Sequence, residues 1–427
     1  MADSRKQRRA LSTVRTGGPI DRGGDPQISG RLAAALSVTD RDENVAQSFT
    51  HGFHAYPARM HPATARALMD LALDGWKGKR PPVVLDPFCG SGTVLVEARR
   101  VGARARGVDA NPLAVLIARA KTAVGRPAQR LALRDTALHI ADDVTEQGKQ
   151  ARRAGGGKTR ERAPRGVDAT ARQRQLAHWF SPHVRRELEA LAGAIDRLKA
   201  RERDVLRAVL SSIIYKCSKR ESDTSTEKVA RNIARGAPAR WFAERAVALV
   251  DGLDALGAVS GPNVGVARGD ARALAKVDID PASVDAIVTS PPYAGTYDYL
   301  EHQSLRYAFL GLGSSTFARD EIGSRRAFKG DVDQKLRAMK AWERDLAAAL
   351  AQMHEVLRPG GVAVVVMGDS LAGSRAVYAD RTLERAAPRG LEQVAIASQQ
   401  RPTFGAVEGR AFERAGKREH IVWYRKR

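Results

Sequence analysis

The sequence predicts a doubly wound α/β sheet with a helical insertion. Three observations lead there. Val83-Val84-Leu85-Asp86 is a short β-branched run that breaks into a turn holding Gly90 and Gly92, and a helical pattern follows from Val94 to Arg100. Ala105–Asp109 is a second apolar run ending in an acid, and Val284–Thr289 is another such run ending in a special turn. Helical patterns separate these runs, and that alternation belongs to a mostly parallel sheet.

At 427 residues the chain holds one large domain with insertions, or two domains, and 43% hydrophobic residues can build its core. A net charge of +23 and a pI near 10.5 point to a polyanionic partner, nucleic acid ahead of a membrane surface. Two cysteines, Cys89 and Cys217, exclude a disulfide framework and a cysteine-based zinc site. They fit a reducing cytoplasm. No apolar run reaches the roughly 20 residues of a membrane span. The basic N-terminus lacks the apolar core of a secretory signal.

Residues 1–45 read as a disordered basic arm with Arg5, Lys6, Arg8 and Arg9 near its start. Residues 46–124 read as the first part of the sheet domain. They open with Phe53-His54-Ala55-Tyr56-Pro57-Ala58-Arg59-Met60-His61-Pro62. His51, His54 and His61 have the wrong spacing for ligands on one helical face, and prolines interrupt them, so no metal is expected. Tyr56 and Arg59 on a proline-stiffened loop suit a stacked ring and a carboxylate. Helices are expected at Ala63–Leu73 and Leu113–Val124. Asp109 lies about twenty residues past the glycine turn, the spacing at which an acid meets a ribose hydroxyl.

Residues 125–260 read as a basic linker, to about 175, and a helical insertion. Helical periodicity runs through Gln173–Ala200, Arg203–Cys217 and Trp241–Leu256. The hydroxyl-rich basic stretch around Lys219, Arg220, Ser222 and Thr224 offers the groups that hydrogen-bond phosphates and base edges. A capped helix start explains it equally well. Residues 261–427 read as the second part of the sheet domain, with strands at 264–268, 284–289 and 362–367 and an edge strand at 419–423. The Tyr297, Tyr299 and Tyr307 group after residue 295, with His302, is expected to line the substrate cleft or to pack a helix, with core packing the reading for most of it.

Two strings carry a resemblance. Asp86-Pro87-Phe88-Cys89-Gly90-Ser91-Gly92-Thr93 is similar to the D-P-F-x-G-S-G-T loop of the amino-methyltransferases that use S-adenosylmethionine. Thr289-Ser290-Pro291-Pro292-Tyr293 resembles their [DNS]-P-P-[YFW] motif, in the S-P-P-Y form of the cytosine-N4 group. The resemblance implies a Rossmann-like methyltransferase sheet with S-adenosyl-L-methionine as cofactor. Asp86, Pro87, Phe88, Gly90, Ser91, Gly92, Thr93, Asp109 and Asn111 would then contact the cofactor. Tyr56 and Arg59, in a segment like the H-x-Y-P-A-[RK]-x-x-P of these enzymes, would cap its pocket, and Asp270 in Gly269-Asp270-Ala271 would read its adenine amino group.

Ser290, Pro291, Pro292 and Tyr293 would hold the exocyclic amine of a base flipped from duplex DNA, with Tyr293 stacked on the ring. The function implied is site-specific transfer to cytosine N4, with a cognate endonuclease as a further partner. Rivals are adenine N6 in DNA, guanine N2 in RNA, and a non-catalytic nucleic-acid-binding protein. Transfer to cytosine C5 needs a cysteine nucleophile on its own loop, which the chain lacks. The cofactor loop precedes S-P-P-Y, whereas in restriction-associated enzymes with a D-P-F-x-G-S-G-T loop it commonly comes last.

Overall fold

The computed structural model describes residues 17–37, 42–153, 167–223, 225, 227–259, 261–313 and 315–427. β1 (Ile20–Gly24), α1 (Pro26–Leu36), α2 (Glu43–Gln47), α3 (Pro62–Ala72), β2 (Val83–Asp86), α4 (Thr93–Arg100), β3 (Arg104–Asp109) and α5 (Pro112–Lys121) come first. Then come α6 (Pro127–Arg153), α7 (Val167–Trp179), α8 (Pro182–Asp196), α9 (Ala200–Cys217) and α10 (Ala237–Gly257). β4 (Gly265–Arg268), β5 (Val284–Thr289), α11 (Tyr299–His302), α12 (Ser304–Leu310), α13 (Ser315–Asp320) and α14 (Val332–Val356) lead into β6 (Leu357–Gly368). After it stand β7 (Ser370–Ala372), β8 (Arg375–Val377), α15 (Ala379–Ala386), β9 (Leu391–Arg401), α16 (Gly405–Ala411) and β10 (Lys417–Lys426).

The main sheet has eight strands in the order β1-β9-β10-β6-β5-β2-β3-β4. The run from β6 to β4 is parallel, whereas β10 pairs antiparallel with both β6 and β9. The chain leaves β2 toward β3 and β4, then returns to the other side of β2 as β5. The carboxyl edge between β2 and β5 is therefore the topological switch point, where open α/β sheets bind ligands. Both sheet faces are covered. Val84, Ala286, Val364 and Trp423 join a core against α1 and α3, and their neighbours Leu85, Ile287, Val365 and Val422 join another against α14 and α15. Burial on both faces explains why these strands read as continuous apolar runs.

Three expectations change. Residues 20–36, assigned to a disordered arm, form β1 and α1. β1 holds by main-chain pairing along β9, with little apolar side chain to reveal it. α1 starts at a legible cap, where the Asp25 carboxylate accepts from the N–H groups of Gln27 and Ile28. The arginine and lysine cluster at 5–9 lies outside the described residues. The expected linker holds the 27-residue helix α6, which buries Leu133, Ala137, Ile140 and Val144 on one stripe. The 154–166 segment lies outside the described residues. Finally, 419–423 is no edge: β10 sits between β6 and β9.

The insertion is continuous with the sheet domain. Leu113 and Ile117 of α5 share one apolar cluster with Val184 and Leu188 of α8, Leu206 and Ile213 of α9, and Phe242 and Leu249 of α10. The pattern over 173–200 divides at Pro182, which takes the first position of α8.

The segment before α3 is anchored by a buried acid. Glu97 of α4 accepts hydrogen bonds from His51 Nε2 at 2.8 Å, Arg66 Nε at 3.0 Å and Arg100 Nε at 2.5 Å. Burial alone would push its carboxyl up, but these donors outweigh burial and hold it down to about 2. A depressed carboxyl stabilises the fold fully above its unfolded value, and that contribution is lost as pH falls through the folded value. Glu97→Gln is expected to cost about 3 kcal/mol near pH 7, as for a broken buried pair. Urea unfolding should show this gap narrowing between pH 4.5 and 2. A constant gap would remove Glu97 from the acid response.

Candidate active site

One pocket opens at the carboxyl edge of β2 and β5. It is lined by the 86–91 loop, Tyr56, Arg59, Asp109, Asn111, Asp270 and the whole of 290–293. The two strand ends are tied together. Asp86 Oδ1 accepts from Thr289 Oγ1 at 2.7 Å and from the Phe88 N–H at 3.2 Å. Burial pushes the Asp86 carboxyl up to about 7 despite these bonds. The loop is then pinned to β3: the Cys89 N–H donates to the Val108 carbonyl at 3.0 Å, and the Gly90 N–H donates to Asp109 Oδ2 at 2.8 Å. Gly90 has φ +49° and faces the pocket. Gly92, with φ +81°, does not line the pocket. A Cβ there would stand 3.1 Å from Ala118 Cβ, so this glycine lets α4 approach α5.

The remaining residues expected at the cofactor end are brought together, with different tasks. Asp109 Oδ1 accepts from the Asn111 N–H at 2.8 Å, and burial raises its carboxyl to about 6. Each Asp109 oxygen keeps a second lone pair for a ligand hydroxyl. Asn111 is occupied. Its Oδ1 caps α5 through the Leu113 N–H and accepts from Tyr307 Oη at 2.7 Å, while Nδ2 donates to Tyr56 Oη at 3.1 Å. It therefore orients two tyrosines and has its amide already engaged. Arg59 donates to the His51 carbonyl at 2.5 Å, and burial lowers its guanidinium. Asp270 accepts from Arg272 Nε at 2.9 Å, and Arg272 reaches on to Asp345. Burial opposes the Asp270 charge, but the Arg272 bonds prevail and its carboxyl is lowered.

Across the pocket, Ser290 Oγ lies 3.5 Å from Tyr293 Oη. Burial raises the Tyr293 phenol, so it stays protonated. The Pro292 carbonyl accepts from Trp342 Nε1 at 3.0 Å and so anchors the loop to α14. Tyr56, Tyr299 and Tyr297 stack in series, with centroids 5.8 and 5.7 Å apart, and all three line the pocket. Of the two readings open for them, Tyr297 and Tyr299 take the cleft and not the core. Their alternation in a short loop was the available signal.

A second wall was not foreseen: Phe317, Asp320, Glu321, Ile322 and Gly323. It is sewn to the S-P-P-Y loop by main-chain bonds from Gly295 to Gly323 and from Arg325 to Tyr297. The Tyr299 N–H also donates to Glu321 Oε1 at 3.0 Å, and Arg326 bridges Glu321 and Asp298.

The hydroxyl-rich stretch is largely structural. Arg220 is 3% exposed and donates to the Glu301 carbonyl and Ser304 Oγ, which ties this stretch to α11 and α12. Lys219 is half-buried, Ser222 has a partner within the protein, and Thr224 lies outside the described residues. The three early histidines serve separate ends: His51 meets Glu97, His54 meets Ser211, and His61 caps α3. Among the described residues Asp369, Asp380 and His420 bring three ligand-type atoms within 4.8 Å. Asp369 already accepts from the Ala379 and Arg418 N–H groups and meets His420, as a staple at the start of α15.

Two buried hydroxyls on the 86–93 loop, Ser91 Oγ and Thr93 Oγ1, have no hydrogen-bond partner within the protein. Both residues line the pocket. Orphaned polar atoms beside an open glycine and an acid fit a ligand with a carboxylate, an amine and a ribose, as S-adenosylmethionine has. Ser91→Ala and Thr93→Val should therefore leave the ligand-free protein as stable or more stable, by up to about 1 kcal/mol. Each should weaken S-adenosylmethionine binding about fivefold to tenfold, by loss of one hydrogen bond. Thermal unfolding with and without S-adenosylmethionine reads both. A loss of ligand-free stability would mean that the hydroxyls serve the fold instead.

Methyltransferases are among the known proteins to which the chain is similar. Residues 53–151 match the family model described as RMKL-like, methyltransferase domain. The chain is 36% identical over 85 residues to type II methyltransferase M.MvaI of Kocuria varians, covering 19% of this chain and 18% of that protein. It is 44% identical over 54 residues to tRNA (guanine(10)-N2)-dimethyltransferase of Methanocaldococcus jannaschii, covering 13% and 14%. These stretches span less than a fifth of either relative. The rRNA methyltransferase aviRa of Streptomyces viridochromogenes superposes with TM-score 0.34 at 15% identity, covering 92% of this chain and 94% of that one. That superposition is too loose to carry geometry across. Residues 53–151, which hold the glycine loop and Asp109, thus match a methyltransferase domain, here built into a doubly wound α/β sheet.

Proposed function

We propose that this protein methylates DNA at an exocyclic base amine, the N4 of cytosine, in a base flipped out of the duplex. The observation that carries the reading is that Ser290–Tyr293 and the loop from Asp86 line one pocket at the ends of adjacent strands. When bound, S-adenosylmethionine supplies an electrophilic methyl group on a sulfonium sulfur. Asp86 to Thr93, Asp109 and Asp270 would hold it, with Tyr56 and Arg59 at the pocket's rim.

The acceptor loop does the rest by position. An aryl amine is a poor nucleophile because its lone pair is delocalised into the ring. Ser290 Oγ and the Pro291 carbonyl, accepting its two N–H bonds, draw that pair out of the ring plane toward the donor. The Tyr293 ring stacks on the base and fixes its tilt. The Pro292 carbonyl, held by Trp342, keeps this turn rigid. The net charge of +23 supports a polyanionic substrate. The S-P-P-Y form favours cytosine N4, and the similarity to a type II methyltransferase supports methyl transfer in general. A second reading, transfer to guanine N2 of RNA, is favoured by the similarity to a tRNA guanine-N2 dimethyltransferase.

Labelled methyl from S-adenosylmethionine should appear in unmethylated DNA, and nucleoside analysis should find N4-methylcytosine. N6-methyladenine would keep the mechanism and change the base, while label in RNA alone would replace the substrate. Ser290→Ala should lower kcat about a hundredfold, the scale of one lost transition-state acceptor. Cofactor affinity by calorimetry should stay within about twofold, because Ser290 sits on the acceptor side. Equal loss of both would move Ser290 to the cofactor site.

A further inference from the structure

The apolar stripe of α14 outruns the protein that covers it. Val356, Met353, Leu350, Leu346 and Trp342 are buried on one face of the helix. Continuing toward the N-terminus at the same three- and four-residue steps come Met339, partly buried, then Leu336 and Val332. Leu336 is 43% exposed and Val332 71%. A stripe of this kind is drawn to a partner once its own core ends.

The position of the overhang says what the partner is. α14 precedes β6, which runs parallel to β5, so the helix begins at the edge where the pocket opens. The link is close. Gly295 of the acceptor loop packs against Leu371 of β7 and Phe328, just before α14, and the hairpin tip Gly373 meets the Lys335 side chain. Arg319, Arg325, Lys329, Arg337 and Arg375, all exposed, surround this rim. Asp331 is spent on capping α14 through the Gln334 N–H, and Glu321 is paired with Arg326. Asp320 and Asp333 remain against that basic set. An exposed aliphatic pair within a cationic rim suits a nucleic acid duplex, whose backbone is anionic and whose stacked interior is apolar.

We propose that Val332 and Leu336 form a wedge that enters the base stack and fills the gap left when the target base swings into the pocket. The proposal rests on DNA being the substrate. It makes these residues part of duplex opening and gives them no share in the transfer itself.

Unstacking and unpairing are needed only for a paired substrate. The test compares the full chain with the Val332→Ala/Leu336→Ala double variant on native and on heat-denatured unmethylated phage DNA. Transfer to native DNA should fall about tenfold or more, and transfer to denatured DNA should stay within about twofold. Equal loss on both, or no loss on native DNA, overturns the wedge. Wild-type protein that labels RNA and neither form of DNA refutes the substrate reading, and the wedge falls with it. A variant that changes from dimer to monomer in sedimentation, with equal loss on both DNAs, would make the stripe a self-association face.

Discussion

The site depends on one hydrogen bond between neighbouring strand ends, from Thr289 of β5 to the buried carboxylate of Asp86 on β2. These strands lie side by side because the chain reverses its winding between them. The reversal leaves a crevice, and the bond fixes the relative height of its two walls. The donor loop continues from Asp86 and the acceptor loop from Thr289, so a shift in this contact moves both together. Asp109 plays the matching part on the other flank by accepting the Gly90 and Asn111 N–H groups at once.

Around that frame the polar groups divide into those consumed by the fold and those left to a ligand. Asn111, the Pro292 carbonyl and Arg220 are consumed, and each holds a functional segment in place. Ser91 and Thr93 are left over, buried without partners at the donor loop. Other buried polar atoms of the described fold also lack partners, the Ser324 and Ser370 hydroxyls among them, so it is the place of these two on the pocket wall that points to a ligand. The helical insertion extends the same logic. It packs onto α5 through a common apolar cluster, and Arg220 couples it to the segment just after the acceptor loop.

Reading the chain in order found the parallel strands and both loops, because strands buried on two faces are apolar throughout and glycine turns are local. It missed β1 and misjudged β10, since pairing along an edge or in an antiparallel interior depends on a distant partner. It took α6 for a linker because the arginine- and glycine-rich residues that follow the helix were read together with it. It did not find the 317–323 wall, which is held at the pocket by bonds to a loop about 28 residues earlier in the chain.

What the sequence determined by itself is the chemistry on offer: a glycine turn beside an acid, hydroxyls on a donor loop, and a serine before two prolines and a tyrosine. These are local patterns, set by the backbone freedom of glycine, the rigidity of proline and the hydrogen-bonding capacity of side chains within a few residues of one another. Tertiary structure alone decided which of those groups stay available. Asn111 and Arg220 looked like ligands until folding gave their hydrogen bonds to Tyr56, Tyr307, Glu301 and Ser304. Tyr297 and Tyr299 stood between cleft and core until folding set them beside Tyr56. A side chain's partners are chosen by the whole packed chain, and only that packing separates a group that holds the site from one that serves it.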